Sequence, residues 1–177
     1  DDIFAPFDTT DFTTFLEPLA DTDADAFLVT WAGGGFVPLY QAAVDLGVID
    51  EDTVLGSPFV DNIVMPLWFS GAVGTRSLIL YWHGGPSNPA NDFLVEQTQA
   101  IYGINPDLFD GDGMSAAILA IEAIKASGGM TDADSLRAAM EGLSFEGAKG
   151  TYYIRPEDHV AIQDMYIVTL LNVDSPT

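Results

Sequence analysis

Cysteine is absent from the 177 residues, so neither disulfides nor thiolate chemistry is available. Basic residues are almost as scarce. Lys and Arg together number 5 against 27 Asp and Glu, a formal net charge of −22. Lysine occurs only at Lys125 and Lys149. That deficit disfavours nucleic acid and anionic membrane surfaces as partners. No apolar run approaches the roughly 18 residues needed to span a bilayer. No basic n-region with an apolar h-region is present, so no signal peptide is expected, and Asp1-Asp2 reads as an internal start. Phosphate-binding G-x-x-x-x-G-K is missing, and Gly33-Gly34-Gly35 does not satisfy G-x-G-x-x-G. No cofactor is expected on these grounds.

What is present is an apolar fraction of 48%, ample for a folded core. The acids run along nearly the whole chain, which makes them a property of the surface and not of a tail. In dilute salt this charge opposes the compact state, whereas molar salt shortens the screening length to about 3 Å. The composition therefore predicts a halophilic protein, with an archaeal source. Asp21 to Asp25 and Asp110 to Gly113 each begin like a calcium loop but lack its later positions, and no His-x-x-x-His or Glu-x-x-His pair occurs, so no metal is expected.

Along the chain a βα rhythm predicts α/β architecture with a parallel sheet. Asp2–Phe7 reads as a short extended piece and Asp11–Leu19 as a helix. Asp25–Trp31 is an apolar run of strand length without alternation, the pattern of a buried parallel strand. Ala32 to Gly35 turns into a helix over Phe36–Leu46 that Gly47 ends. Thr53–Gly56 is the next strand, Ser57 to Asn62 a loop leading to a short helical stretch ending at Phe69, and Ser77–Trp82 a further strand. After the breaker-rich segment His83 to Pro89 come two helices. Ala90–Tyr102 places Phe93, Leu94, Thr98 and Ile101 on one face. Met114–Ser127 is nearly all apolar and is expected to be well buried. Ala133–Met140 is a helix with Gly142 at its C-cap position. Gly147 and Gly150 flank a hairpin-like crossing with an extended piece over Gly150–Ile154, and Met165–Leu171 is a final apolar strand.

Ser77 to Pro86 also looks like the strand and His-Gly-Gly oxyanion loop of an α/β-hydrolase. That chemistry needs a nucleophile elbow, G-x-S-x-G. None occurs, and Ser57, Ser70 and Ser115 each lack the flanking glycines. His83 and His159 are placed beside no acid or nucleophile by spacing, so an enzyme is not expected.

The segment Leu136-Arg137-Ala138-Ala139-Met140-Glu141-Gly142-Leu143-Ser144-Phe145, with Gly147, Gly150, His159 and Met165-Tyr166-Ile167-Val168, resembles the closing part of type I periplasmic binding proteins. The likeness is to the branched-chain amino-acid receptors of ABC transporters. Asp11-Phe12-Thr13 with Asp25-Ala26, Gln41-Ala42-Ala43 with Leu46-Gly47, Gly56-Ser57, and Asn88-Pro89-Ala90-Asn91 with Phe93 and Tyr102-Gly103 extend it in order. The resemblance implies two Rossmann-like α/β lobes joined by three crossings, with a ligand clamped between them. Residues 1–85 and 155–177 then fall in the second lobe, and 86–154 form the helical part of the first lobe with its crossings. The N-terminal half of the protein is missing on this reading. The implied function is that of an extracellular or cell-surface, non-catalytic solute-binding protein of an ABC importer. The implied partners are a small polar or amino-acid-like ligand, permease subunits and the remainder of the first lobe. The same fold also serves sensor domains of receptors, which is the alternative.

Parallel sheets bind ligands beyond the carboxyl ends of their strands. Three loops qualify. The first is Trp31-Ala32-Gly33-Gly34, where backbone N–H groups at a helix start can receive polar groups. The second is Ser57-Pro58-Phe59 with Asp61. Here the resemblance implies an acidic residue for a ligand ammonium, and Pro58 stands in its place, which argues against an α-amino acid. The third runs from Phe109 to Met114, with Phe109 where the family closes an aromatic on the ligand. Tyr81, at a crossing, is a candidate for the cleft or for hinge packing.

Overall fold

The computed structural model describes residues 2–22, 24–31, 34–50, 52–56, 73–74 and 76–172. The chain divides into two compact units, residues 1–80 with 167–177, and residues 81–166.

In unit one, α1 (Thr13–Ala20) follows Asp11, whose carboxylate accepts the Thr13 N–H at 3.0 Å. Strand β1 (Ala26–Leu28) leads to α2 (Phe36–Asp45), and Gly47 at φ 73° lets the chain turn out of that helix. Strands β2 (Val54–Gly56) and β3 (Arg76–Ile79) follow. With β7 (Tyr166–Thr169) they form a four-stranded sheet in the order β1-β2-β3-β7. Ala26 pairs with Val54 and Val54 with Arg76, both in parallel register. Phe12, Leu16, Leu39, Tyr40, Ala43 and Ile49 are buried apolar residues of this unit.

Unit two starts with α3 (Pro89–Tyr102), capped by Asn88, which accepts the Asn91 N–H, with Pro89 in the first turn where its missing N–H costs nothing. Gly103 at φ 70° closes it. Next come α4 (Leu108–Ala126), α5 (Ala133–Met140) and an antiparallel sheet of β4 (Ser144–Gly147), β5 (Gly150–Ile154) and β6 (Ala161–Ile162). Phe145 pairs with Tyr152 across the β4–β5 hairpin. Their rings stack at 4.9 Å, and Ile154, Ile118 and Leu119 complete that core.

The α/β class, the order of helices and strands, and the hairpin agree with the reading of the sequence. Several expectations need correction. Asp2–Phe7 forms no strand among its described residues. Strand β1 is three residues long and not buried: Leu28 is 70% exposed. On α3 the expected face is buried only in part, since Thr98 is buried and Leu94 half-buried, while Phe93 and Ile101 face outward and Asn91 turns inward instead. Asn91 turns inward because its side-chain carbonyl accepts from Tyr81 and its amide donates to the His83 and Pro86 carbonyls, a stronger local demand than apolar periodicity. Helix α4 starts at Leu108 and not at Met114. A reciprocal capping box between Asp107 and Asp110 fixes that start despite Gly111 and Gly113. Its apolar residues are not all buried either, with Ile121 53% exposed. The short β6 was not expected. The loop and helical stretch from Ser57 to Phe69 lie outside the described residues.

Candidate functional site

In unit one the carboxyl end of β1 carries Trp31. Its indole meets the Phe12 ring edge-on at 5.2 Å and the Phe7 ring at 5.8 Å. Phe12 is itself buried and packs under Gly35, where an added Cβ would come within 2.5 Å of the Thr9 carbonyl and 2.7 Å of the Phe12 ring. Any larger residue at Gly35 therefore breaks this aromatic group apart. The Trp31 indole N–H is buried and has no hydrogen-bond partner among the described residues. An orphaned donor of this kind costs about 1–3 kcal/mol unless something outside the described atoms accepts from it. Gly34 is exposed, with nothing within 4 Å of a hypothetical Cβ, so packing does not demand glycine there. Ala32, Gly33, Ser57, Pro58, Phe59 and Asp61 lie outside the described residues. The Gly56 carbonyl, at the end of β2, accepts the Val29 N–H at 2.7 Å, which ties the ends of β1 and β2 together.

The candidates in unit two are arranged differently. Tyr81 is 3% exposed, and its hydroxyl donates to Asn91 Oδ1 at 2.7 Å. Its ring lies on Gly111, where a Cβ would come within 3.1 Å. Burial, and then the nearby Asp110 carboxylate, push its phenol well above the ordinary range, so it remains a neutral donor. Phe109 and Met114 are not loop residues; both stand on α4. Phe109 is 64% exposed and Met114 half-buried. Next to Tyr81, Trp82 is exposed and meets the His83 ring at 6.0 Å. Burial lowers the His83 pKa, and its Nδ1 is buried without a partner. His159 Nε2 lies 3.1 Å from Glu141 Oε1.

Sequence reasoning missed the polar cluster that organises this unit. Ser115 Oγ donates to the Gly111 carbonyl at 2.8 Å and accepts the Ala148 N–H at 3.0 Å, with the Tyr152 hydroxyl 3.0 Å away. Lys149 is buried, with Nζ 2.9 Å from Asp112 and donating to Gln163 at 2.7 Å. The one available signal was composition: an inward lysine in a chain that holds two. Among the described residues no three His, Asp or Glu side chains gather in a way that could hold a metal ion.

The family model for periplasmic binding proteins matches residues 1–174. The chain belongs to the periplasmic binding protein family. Within it, the chain is similar to an ABC-type branched-chain amino acid transporter from Rhodopseudomonas palustris, with 30% identity and a TM-score of 0.76 over 93% of this chain and 45% of that one. A solute-binding protein of an ABC transporter from Rhodopseudomonas palustris, solved in complex with 3,4-dihydroxybenzoic acid, is 27% identical. Its TM-score is 0.71 over 96% of this chain and 47% of that one. A leucine-binding protein from Thermotoga maritima shares the fold, with a TM-score of 0.74 and 20% identity over 94% of this chain and 47% of that one. The chain thus spans about half the length of these periplasmic binding proteins. The comparison with curated proteins returned no match. No described helix is long and apolar enough to cross a membrane.

Proposed function

We propose that this chain is part of a solute-binding protein that feeds an ABC importer outside the cell, binding a small molecule without transforming it. The family match along residues 1–174 carries this reading. Residues 1–85 and 155–177 belong to one ligand-binding lobe and 86–154 to the other, whose remainder lies elsewhere in the full protein. The outward apolar residues Phe93, Ile101 and Ile104 of the α3 region, and Ile121 and Ile124 of α4, support a partner surface of that kind. Ligand closure draws the lobes together, and the closed form is what a permease recognises.

The ligand contacts proposed are Trp31, Ala32, Gly33 and Gly34 after β1, Ser57, Pro58, Phe59 and Asp61 after β2, and Phe109 and Met114 on α4. Tyr81, whose hydroxyl is held by Asn91, is a further proposed contact. The buried, unpartnered indole N–H of Trp31 suits a ligand carboxylate, and its aromatic surroundings suit an apolar ligand body. Proline at position 58 offers no charge to an ammonium group. A small aromatic carboxylate therefore fits these residues better than an α-amino acid. The acidic composition, at −22, supports a protein adapted to molar salt, as in halophilic archaea.

Calorimetric titration of the full-length protein in molar KCl tests this reading, with benzoate, 3,4-dihydroxybenzoate and leucine as probes. Benzoate or dihydroxybenzoate is expected to bind, and Trp31→Ala to weaken binding by about tenfold or more. Heat from leucine alone overturns the ligand class, and heat from none of the three overturns the binding role for these solutes. A far-UV spectrum and thermal midpoint that do not change when salt is removed would overturn the halophilic reading.

A further inference from the structure

The chain passes between its two units at Leu80–Tyr81 and at Tyr166–Ile167. On the unit-two side both connecting segments are fastened to one place, the Ala148–Lys149 turn between β4 and β5. Asn88, in the segment that follows the first passage, donates to the Ala148 carbonyl at 3.3 Å. Tyr166, at the second passage, directs its hydroxyl to the Lys149 carbonyl at 3.5 Å. The Tyr166 ring lies directly on Gly85, where a Cβ would come within 2.7 Å, so the two segments touch each other as well. The strongest tie is the lysine itself. Its side chain is fully buried, with Nζ 2.9 Å from Asp112 Oδ1 on α4 and 2.7 Å from Gln163 Oε1 on the second segment. A buried ammonium group must be paired, because leaving it without partners costs far more than an ordinary hydrogen bond. Burial thus compels Lys149 to hold α4 and the second segment at once.

We infer that Lys149 is a positioning residue that locks the second connecting segment onto unit two through Gln163, at the same turn whose Ala148 carbonyl receives Asn88 of the first, so that any rotation between the units is confined to the joints at Leu80–Tyr81 and Tyr166–Ile167. It acts through Gln163 and Asp112 and touches no ligand. This deepens the solute-binding reading, since it names where a closing motion pivots and which charge keeps the pivot sharp. Hinges are a few positions at the ends of elements that absorb the backbone change, and clamped flanks concentrate the change there.

The absence of cysteine makes the test direct, because introduced pairs take spin labels without background. Labels at Asp92→Cys on α3 and Asp164→Cys on the second segment report whether that segment is held within unit two. Labels at Glu96→Cys and Ala138→Cys, on α3 and α5, report the unit as a whole. All four positions are exposed. In the otherwise unaltered chain both pairs are expected to give one narrow distance peak. Lys149→Met is expected to abolish the narrow peak of the first pair and leave the second unchanged. If that variant does not fold, Gln163→Ala cuts only the tie to the segment and leaves Lys149 paired with Asp112. It is expected to give the same selective loss, while Gln163→Glu, which still accepts from the ammonium, retains the peak. A narrow first pair in Gln163→Ala, or equal broadening of both pairs, overturns the inference. No ligand is used, so failure here leaves the binding reading untouched, and failure of the calorimetry leaves this one untouched.

Discussion

The hairpin of unit two stacks Phe145 on Tyr152 at 4.9 Å, with both rings buried. The four-stranded sheet of unit one instead leaves Leu28 of β1 and Ile167 of β7 70% and 68% exposed. Unit two ties several buried polar groups together, Ser115 to Gly111 and Ala148, Asn91 to Tyr81 and His83, and Lys149 to Asp112 and Gln163, although the buried His83 Nδ1 has no partner among the described residues. Unit one is held mainly by apolar side chains around Phe12, Leu39 and Tyr40, and its buried Trp31 indole donor has no partner among the described residues. Parallel sheets are normally covered on both faces, because crossover helices bury them. A unit that is polar-locked resists sequence change at small residues, whereas one that is apolar-locked resists truncation of large ones.

Mutations at both kinds of residue can break this contrast. The largest effect is expected for Phe12→Ala in unit one, which removes the ring beneath Trp31 and Gly35. It should destabilise the chain by about 3–5 kcal/mol in equilibrium urea unfolding in molar KCl. A loss below about 1 kcal/mol would show that apolar contacts do not hold unit one. In unit two, Gly147→Ala would place a Cβ 2.6 Å from the Tyr152 ring and 2.8 Å from Ser115 Oγ. Overpacking of that severity is expected to cost about 2–3 kcal/mol, read from the same unfolding curves. Ser115→Ala leaves the Ala148 N–H without its acceptor in a buried setting and should cost about 2 kcal/mol. Full stability in that variant would contradict the polar-lock account. Leu28→Thr, on the exposed strand, should change stability by no more than about 0.5 kcal/mol in this chain. A large loss would mean that its face is covered.

Acid should act on the two units alike, and this is the smallest expected effect. Asp11 and Asp50 in unit one are held below the usual carboxylate range, by the Thr13 N–H and by the Thr53 hydroxyl respectively. In unit two, the Ser135 N–H and the Arg155 guanidinium do the same for Asp132 and Asp158. Because their folded pKa values are depressed, the stability they contribute is present above the unfolded value of about 3.9. It is lost as pH falls through the folded values. A thermal midpoint followed downward from neutral pH in molar salt checks this. A midpoint that rises as the carboxylates protonate would show that relief of charge repulsion outweighs these bonds.

How much could be read beforehand follows the same division. Helix α5 was legible to the residue, because helix formers, the Asp132 cap and Gly142 at φ 78° are all local signals. So was β5, between Gly150 and Arg155. Local signals failed where a distant partner decided the outcome. The face of α3 was misjudged because Asn91 answers to Tyr81, His83 and Pro86, none of which periodicity on the helix can reveal. The start of α4 was misplaced because Phe109 to Met114 was read as a ligand loop, when the Asp107–Asp110 capping box starts the helix at Leu108 and Gly111 leaves space for the Tyr81 ring. Of the candidate site, Trp31 could be named from its place after an apolar strand. Its packing on Phe7 and Phe12 could not.

By itself the sequence determined the α/β class, the charge and the local elements, because composition, caps and turn glycines act within a few residues. Family membership too rests on motifs that can be read in order along the chain. Tertiary structure alone decided that Tyr81 is buried against Gly111, that Phe109 stands on a helix, and that a buried lysine joins α4 to the segment that carries Gln163. Burial makes these decisions, because the cost of an unpaired charge or an overlapping Cβ depends on neighbours that only folding brings together.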